Sequence, residues 1–517
     1  MKKIRATLII SALAVLLAGY ASAQDRQVLN IGLEDCIAKA LKNNLNVAVE
    51  RLNPGLADLQ VVKAREYFLP SFELSYGSNR QASPSYWFLQ GSGTSISNLA
   101  SYGVSVVEAV PTGGSLAVSL QSYRSETNQA FQLINPRYGS TLQFSLTQPL
   151  LRNFGPKMAR RGITLAENNL DLAQLQLRNT MLDTVYLVQQ TYWNYYFAVE
   201  NYKVKTQSLE LARDLLAKNK KEVEFGQLAP IEILTAESVV AQREADLIQA
   251  EGLINRSEEV LKSIINLAAE GDARRVKLLP ADKLTTVEGR VALDQAVKEA
   301  MERRPDLMIL KKGLETKELN LSVAKNQMLP ALDFRVAYSS PGISGDLLIY
   351  QDNNAFSGII IGKQKGSASG ALGDAFRFLY NNWNVGLTLS VPLSSMLTRA
   401  DLSYARMDFS QGQVRIKSLE QQIELEVSDA LRTIETNAKR VDALRVSREL
   451  AEKTLDAEEK KLKVGLSTNY FVLDFQEKLA NARSAELRAR IDLILAVESL
   501  EKAMGVSLDK RGFKIAE

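Results

Sequence analysis

Histidine is wholly absent from this chain of 517 residues, which removes the commonest general base and the commonest metal ligand. Carboxylate or Ser-Lys chemistry would still need a local signature. No glycine loop ends in Lys-Ser/Thr, no Gly-x-Ser-x-Gly occurs, and a single cysteine allows no Cys pair. The sequence therefore points away from an enzyme and calls for no cofactor and no metal. Cys36 cannot close an internal disulfide. Its setting, Leu33-Glu34-Asp35-Cys36-Ile37-Ala38, reads as the apolar side of a helix, where a thiol packs as a small inert hydrophobe. Strong charge is also lacking: a formal +4 gives no electrostatic footprint for nucleic acid.

Long apolar runs are equally scarce. The run at 6–18 follows Lys2, Lys3 and Arg5 and precedes Ala21-Ser22-Ala23, the pattern of a secretory leader. It is shorter than the ~20 residues a spanning helix needs. Residues 1–23 are thus expected to be a signal peptide, with the mature chain starting near Gln24. Tyr20 stands where a lipoprotein would need its cysteine.

What is present is a duplication. Leu69-Pro70 recurs as Leu329-Pro330, an offset of 260 residues that also pairs Leu33 with Leu293, Ala40 with Ala300 and Ala64 with Ala324. Downstream, Pro149-Leu150 matches Pro392-Leu393, and Gly226 pairs with Gly465 at an offset of 239. The middle of the first copy is therefore the longer by 21 residues. Order kept over so many landmarks predicts two structural repeats, at 24–270 and 291–506, with a linker at 271–290 and a tail at 507–517.

Each repeat reads as helix, strands, then two long helices. The first helix should stop at Pro70 or Pro330, because proline cannot continue a helix and disfavours helical geometry just before it. Strands are expected over about 70–149 and 331–392. Leu332, Phe334, Val336 and Tyr338 alternate with polar or small residues, as do Trp383, Val385, Leu387, Leu389 and Val391. That is period two, with one apolar and one polar face. The first copy matches with Phe72, Leu74 and Tyr76, then Leu142, Phe144 and Leu146. It adds a hairpin near 102–120, turned at Pro111-Thr112-Gly113-Gly114. Periodicity alone leaves open whether these strands form a soluble sandwich or a membrane barrel.

The rest is helix. No proline lies between Pro156 and Pro230 or after Pro392. Val472, Phe475, Leu479 and Ala482, then Ala489, Leu493, Ala496 and Leu500, form a heptad seam in which Glu486 is the exception. Its counterpart runs Ile233, Ala236, Val240, Arg243, Leu247 and Ala250. Steps of three and four residues predict coiled-coil packing. Too few strands are present for one chain to close a barrel by itself, so membrane strands here would require oligomerisation.

Ala64-Arg65 through Leu69-Pro70, Ala324 through Leu329-Pro330, Thr147-Gln148-Pro149-Leu150-Leu151-Arg152, Val391-Pro392-Leu393, Glu224-Phe225-Gly226 and Lys463-Val464-Gly465 occur in this order. Together they make the chain resemble the outer membrane efflux (TolC) family along nearly its whole mature length. The resemblance implies a mainly α protein with membrane β structure: a homotrimer sharing a β-barrel in outer-membrane lipid and a long α-helical coiled-coil barrel in the periplasm. It implies passive conduction between a periplasmic adaptor (membrane fusion protein) with its inner-membrane transporter and the cell exterior. The competing reading is a non-conducting periplasmic coiled-coil spacer. Four strands per protomer, usual in the family, give a twelve-stranded barrel; the added hairpin leaves eighteen strands, or an extracellular flap, open.

The resemblance also implies a gate at the two helix turns, Gly226 and Gly465. The stretch Asn469 to Asp474 matches the family's gate segment, with two acidic positions three apart; Asp474 falls on the second and Phe471 on the first. Glu232 falls on an acidic position of the other turn. Threefold symmetry would make Glu232 and Asp474 rings of charge that favour cations, and Phe471 an apolar neck. The family's inter-helix lock, an arginine and a tyrosine, is replaced by Ser467 and Leu462. Composition does not name the cargo.

Overall fold

The computed structural model describes residues 27–86, 93–270, 276–284 and 292–512. The leader read in 1–23, together with parts of the 271–290 linker and the 507–517 tail, lies outside the described residues. In chain order, β1 (Gln27–Ile31), α1 (Leu33–Asn43) and α2 (Leu45–Glu66) lead into β2 (Ser71–Pro84), β3 (Thr94–Ala109), β4 (Ser115–Thr127) and β5 (Ile134–Pro149). The long helices α3 (Arg161–Glu224) and α4 (Ile231–Ile264) follow, then β6 (Val276–Pro280). The same order then recurs. It runs α5 (Leu293–Arg303), α6 (Pro305–Gln327), β7 (Ala331–Tyr350), β8 (Ile360–Gln364), α7 (Ala368–Phe376), β9 (Asn382–Ser390), α8 (Met396–Lys463) and α9 (Asn469–Ala503).

Both proline landmarks behave as expected, with one refinement. α2 ends four residues ahead of Pro70 and α6 three ahead of Pro330, in tightened turns where the Leu69 N–H donates to the Glu66 carbonyl and Leu329 N–H to that of Asn326. The residue before proline is thereby freed to be extended. Helices α3 and α8, 64 and 68 residues long, would each measure about 100 Å at ~1.5 Å per residue.

Two compact units form. One gathers the chain up to Pro54, Ala173–Lys311 and everything from Arg415; the other holds Gly55–Leu172 and Lys312–Val414. In the first, β1 and β6 pair in parallel, the second strand lying within the segment read as a linker. Around them packs an aromatic stretch of α3 that includes Tyr192, Trp193, Tyr195, Tyr196 and Phe197. Tyr192 and Tyr195 are fully buried; Tyr195 donates its hydroxyl proton to the Leu278 carbonyl at 2.5 Å and Tyr192 to the Asp282 carboxylate at 2.6 Å. The same carboxylate accepts the Leu33 N–H at 2.7 Å, a favourable anion at the N-terminus of α1. Cys36 is wholly buried in this core.

The second unit carries one antiparallel sheet in the order β2-β3-β4-β5-β7, with β9 and β8 sharing the far edge of β7. β9 covers Ala331–Ser339 and β8 covers Leu347–Tyr350. Between them, Ser340–Gly345 of β7 pairs with β5 alone, and rows through Ala337, Tyr338 and Ser339 cross six strands from β2 to β9. The hairpin read near 102–120 lies within the sheet, its strands paired on both sides.

Candidate functional site

Two surfaces bear on function, one in each unit. In the sheet, residues directly opposite one another share a face. Phe72, Val106, Val118, Phe144, Tyr338 and Trp383 form one such row across all six strands. One residue further along, on the opposite face, Glu73, Ser105, Ser119, Gln143, Ser339 and Asn382 form the next. The period-two alternation of each segment is therefore in register over the whole sheet. Phe72 and Trp383 are 64% and 76% exposed, so the apolar face lacks a core beneath it and calls for an apolar medium.

Part of that face is covered by α7. Ala371 and Ala375 of α7 are fully buried, as is Ser340 of β7. A side-chain carbon added at Gly342 would lie 2.0 Å from the Ala371 carbonyl oxygen, so glycine is required for the helix to sit this close. Pro70 and Pro330 immediately precede β2 and β7, Pro149 ends β5 and Pro392 follows β9 just after Val391. All four landmark prolines stand where strands meet helical segments, the boundary position proline favours in sheets.

The second surface is the pair of helix turns. α3 and α8 end identically. The Gly226 N–H donates to the Val223 carbonyl at 2.9 Å and Gln227 N–H to that of Glu222 at 2.8 Å; Gly465 and Leu466 repeat this with Leu462 and Lys461. Gly226 and Gly465 have φ of +70° and +78°, the left-handed residue of a Schellman cap. Beyond these turns, Glu232 lies in the first turn of α4 and Phe471 and Asp474 in the first two turns of α9. The two helices pack together through Ala236, Val240, Val472 and Leu473. Phe471 is 48% exposed, with Tyr470 edge-on beside it. Asp474 is ion-paired to Lys478 at 2.7 Å, whereas Glu232 has no ion pair among the described residues.

Two ties hold the chain around these turns. The Ser467 hydroxyl donates to Glu458 at 2.5 Å, and Lys461 pairs with the same carboxylate at 3.0 Å; hydroxyl first and ammonium second, they hold the Glu458 carboxyl below its usual range. Arg243, only 5% exposed, donates to the Ser208 carbonyl of α3 at 2.7 Å, the Leu473 carbonyl of α9 at 2.9 Å and the Gln476 amide oxygen at 3.2 Å. One guanidinium thereby binds α4 to α3 and α9. The signal for it was an arginine on a heptad seam. Glu486, the other irregular seam residue, is buried and accepts from Arg448 at 2.5 Å and from Arg490.

A two-faced antiparallel sheet and paired long helices define a class, a β-structured outer-membrane protein with a large helical part. Comparison with known proteins agrees. The model of the family described as "Outer membrane efflux protein" matches residues 36–267 and 296–506. Outer membrane efflux protein BepC of Brucella suis biovar 1 is 20% identical over 415 residues, 78% of this chain and 82% of that protein. The solved CusC structure superposes with a TM-score of 0.65 at 16% identity, covering 92% of each chain. The CmeC outer membrane channel of Campylobacter jejuni gives 0.63 at 16% identity, over 94% of this chain and 87% of that one. The chain belongs to the outer membrane efflux protein family and resides in the outer membrane.

Proposed function

We propose that three copies of this chain close into one water-filled export duct, which passively conducts cargo handed over by a periplasmic adaptor and driven by an inner-membrane transporter. The in-register two-faced sheet carries the proposal. Its apolar face suits lipid, its polar face suits a lumen, and the outer edges of β2 and β9 have no strand partner among the described residues. Bare edges in lipid leave backbone groups unsatisfied, so they must join other copies. A head-to-tail contact of unlike edges closes as a ring.

The names of the relatives support efflux as the task. The two stretches matched by the family model fall one in each repeat read from the sequence, which supports an ancestral duplication. Apolar side chains exposed around the turns, among them Phe225, Ile231 and Leu466, suit docking of an adaptor; Glu232, Phe471 and Asp474 are proposed to line the gate. The test is purification from outer membranes, mass measurement in detergent, and planar-bilayer recording. A trimer with discrete conductance steps is expected. A monomer, or a periplasmic particle that does not conduct, would instead be the coiled-coil spacer.

A further inference from the structure

We infer that the outer-membrane exit of the duct is a barrel of eighteen strands, six from each protomer, and so is far wider than the family's usual twelve. This rests on the trimeric reading above. The hairpin β3–β4 is inserted between β2 and β5 and bonded along both flanks: Ser71–Pro84 of β2 to β3 on one side, Ser115–Ser125 of β4 to β5 on the other. Its side chains obey the alternation of the sheet they join, with Val104, Val106, Val118 and Leu120 on the apolar face and Ser105, Ser119 and Gln121 on the polar one. A flap in water would have no reason to keep that register.

The turn of the hairpin is also clamped. Thr112 donates its hydroxyl proton to the Gln148 amide oxygen at 2.6 Å, and its carbonyl accepts the Gly155 N–H at 2.9 Å. At Gly113, φ is +94° and a side-chain carbon would lie 2.4 Å from the Asn153 carbonyl oxygen. The tip is therefore seated on the loop that follows β5, not hung free.

Parity supports closure. All neighbours in the sheet are antiparallel, and with six strands the two edge strands run in opposite directions. Each junction between copies is then antiparallel as well. Adding two strands to four preserves this property, whereas adding one would break it. With ~4.8 Å between strands and a tilt of ~40°, eighteen strands give about 36 Å between opposite backbones, against about 24 Å for twelve. The polar face is short-chained and mostly neutral across its middle, with Ser101, Gly103, Ser105, Ser119, Thr141 and Ser339 among its residues. Such a wall narrows the lumen little, which places the size limit on cargo at the helix turns and not at the exit.

The test is a cysteine scan of the hairpin in the full-length trimer, made in a Cys36→Ala background. V104C, V106C and V118C should resist a membrane-impermeant maleimide, and a bimane attached to each under denaturing conditions should be quenched by brominated lipid after reconstitution. S105C and S119C should react with the maleimide and escape the quencher. Equal maleimide reactivity at all five positions would make the hairpin a flap and overturn the inference. Electron cryo-microscopy of the trimer in nanodiscs gives a second readout, in which eighteen strands are expected. A trimer with twelve strands sinks this inference and leaves the export duct standing; particles without a central lumen sink both.

Discussion

A charge buried in a helical seam is expensive unless it is hydrogen-bonded, and Arg243 shows how this chain meets the cost. Its acceptors are two backbone carbonyls and an amide, and no carboxylate pairs with it among the described residues; burial accordingly lowers its pKa. The arginine was visible on the seam, but its acceptors belong to residues 35 and about 230 positions away, so the tie itself could not be read. Arg243→Ala should cost about 2–4 kcal/mol of local stability, read as faster amide hydrogen exchange near Ser208 and Leu473. Arg243→Met, which keeps the packed volume but makes none of the hydrogen bonds, should cost less; equal loss in both variants would mean that the lost hydrogen bonds account for the whole cost and the cavity for none of it. Cys36 follows the opposite logic. Burial first, and then the neighbouring Asp35 charge, push its thiol up to about 12, and the thiolate is the reactive form. Native protein at pH 8 should therefore ignore a maleimide that labels it fully once unfolded. Rapid labelling of the folded chain would contradict the packing seen here.

Among elements, the turns and the strands were the most legible parts, because their signals are local. Glycine at matching positions marked the turns after two long helices, and both turns are present with the same pair of hydrogen bonds and a left-handed glycine. Nothing lies within 4 Å of where a side-chain carbon would sit at Gly465, so Gly465→Ala is opposed by backbone geometry alone. The expected loss is about 1 kcal/mol in the hairpin, measurable by thermal denaturation; an unchanged midpoint would show that the turn bears no load. Helix α7 and strand β8, by contrast, were not foreseen. The upper part of β7, from Ser339 to Gly345, is built of serine, glycine, proline and one isoleucine, a composition without alternation. Its small residues make sense only with α7 resting on them, a contact that sequence periodicity does not carry. The ends of α2 and α6 fall four and three residues short of the prolines for a simpler reason. Proline excludes helix from the residue before it, and the chain used one extra tightened turn to comply.

For the whole molecule, the proposed gate would carry two acidic rings, and the two carboxylates that would form them differ in their surroundings. Asp474 already holds Lys478 one helical turn away, so a ring of three such pairs presents little net charge. Glu232 is only partly exposed and has no such neighbour in ion-pair range among the described residues, so its ring would dominate the field that a permeating cation meets. Three substitutions separate these contributions in planar-bilayer recordings. Glu232→Ala should reduce the preference for potassium over chloride and relieve block by divalent cations more than Asp474→Ala does. Lys478→Ala should act in the opposite sense, because it releases the Asp474 carboxylate to the lumen. The effects should shrink as salt rises toward 1 M, where the screening length falls to ~3 Å. If the Glu232→Ala, Asp474→Ala double variant keeps the ion selectivity of the parent, neither carboxylate lines the constriction. The gate would then be the apolar neck at Phe471, opened by parting α4 from α9, which Arg243 ties together.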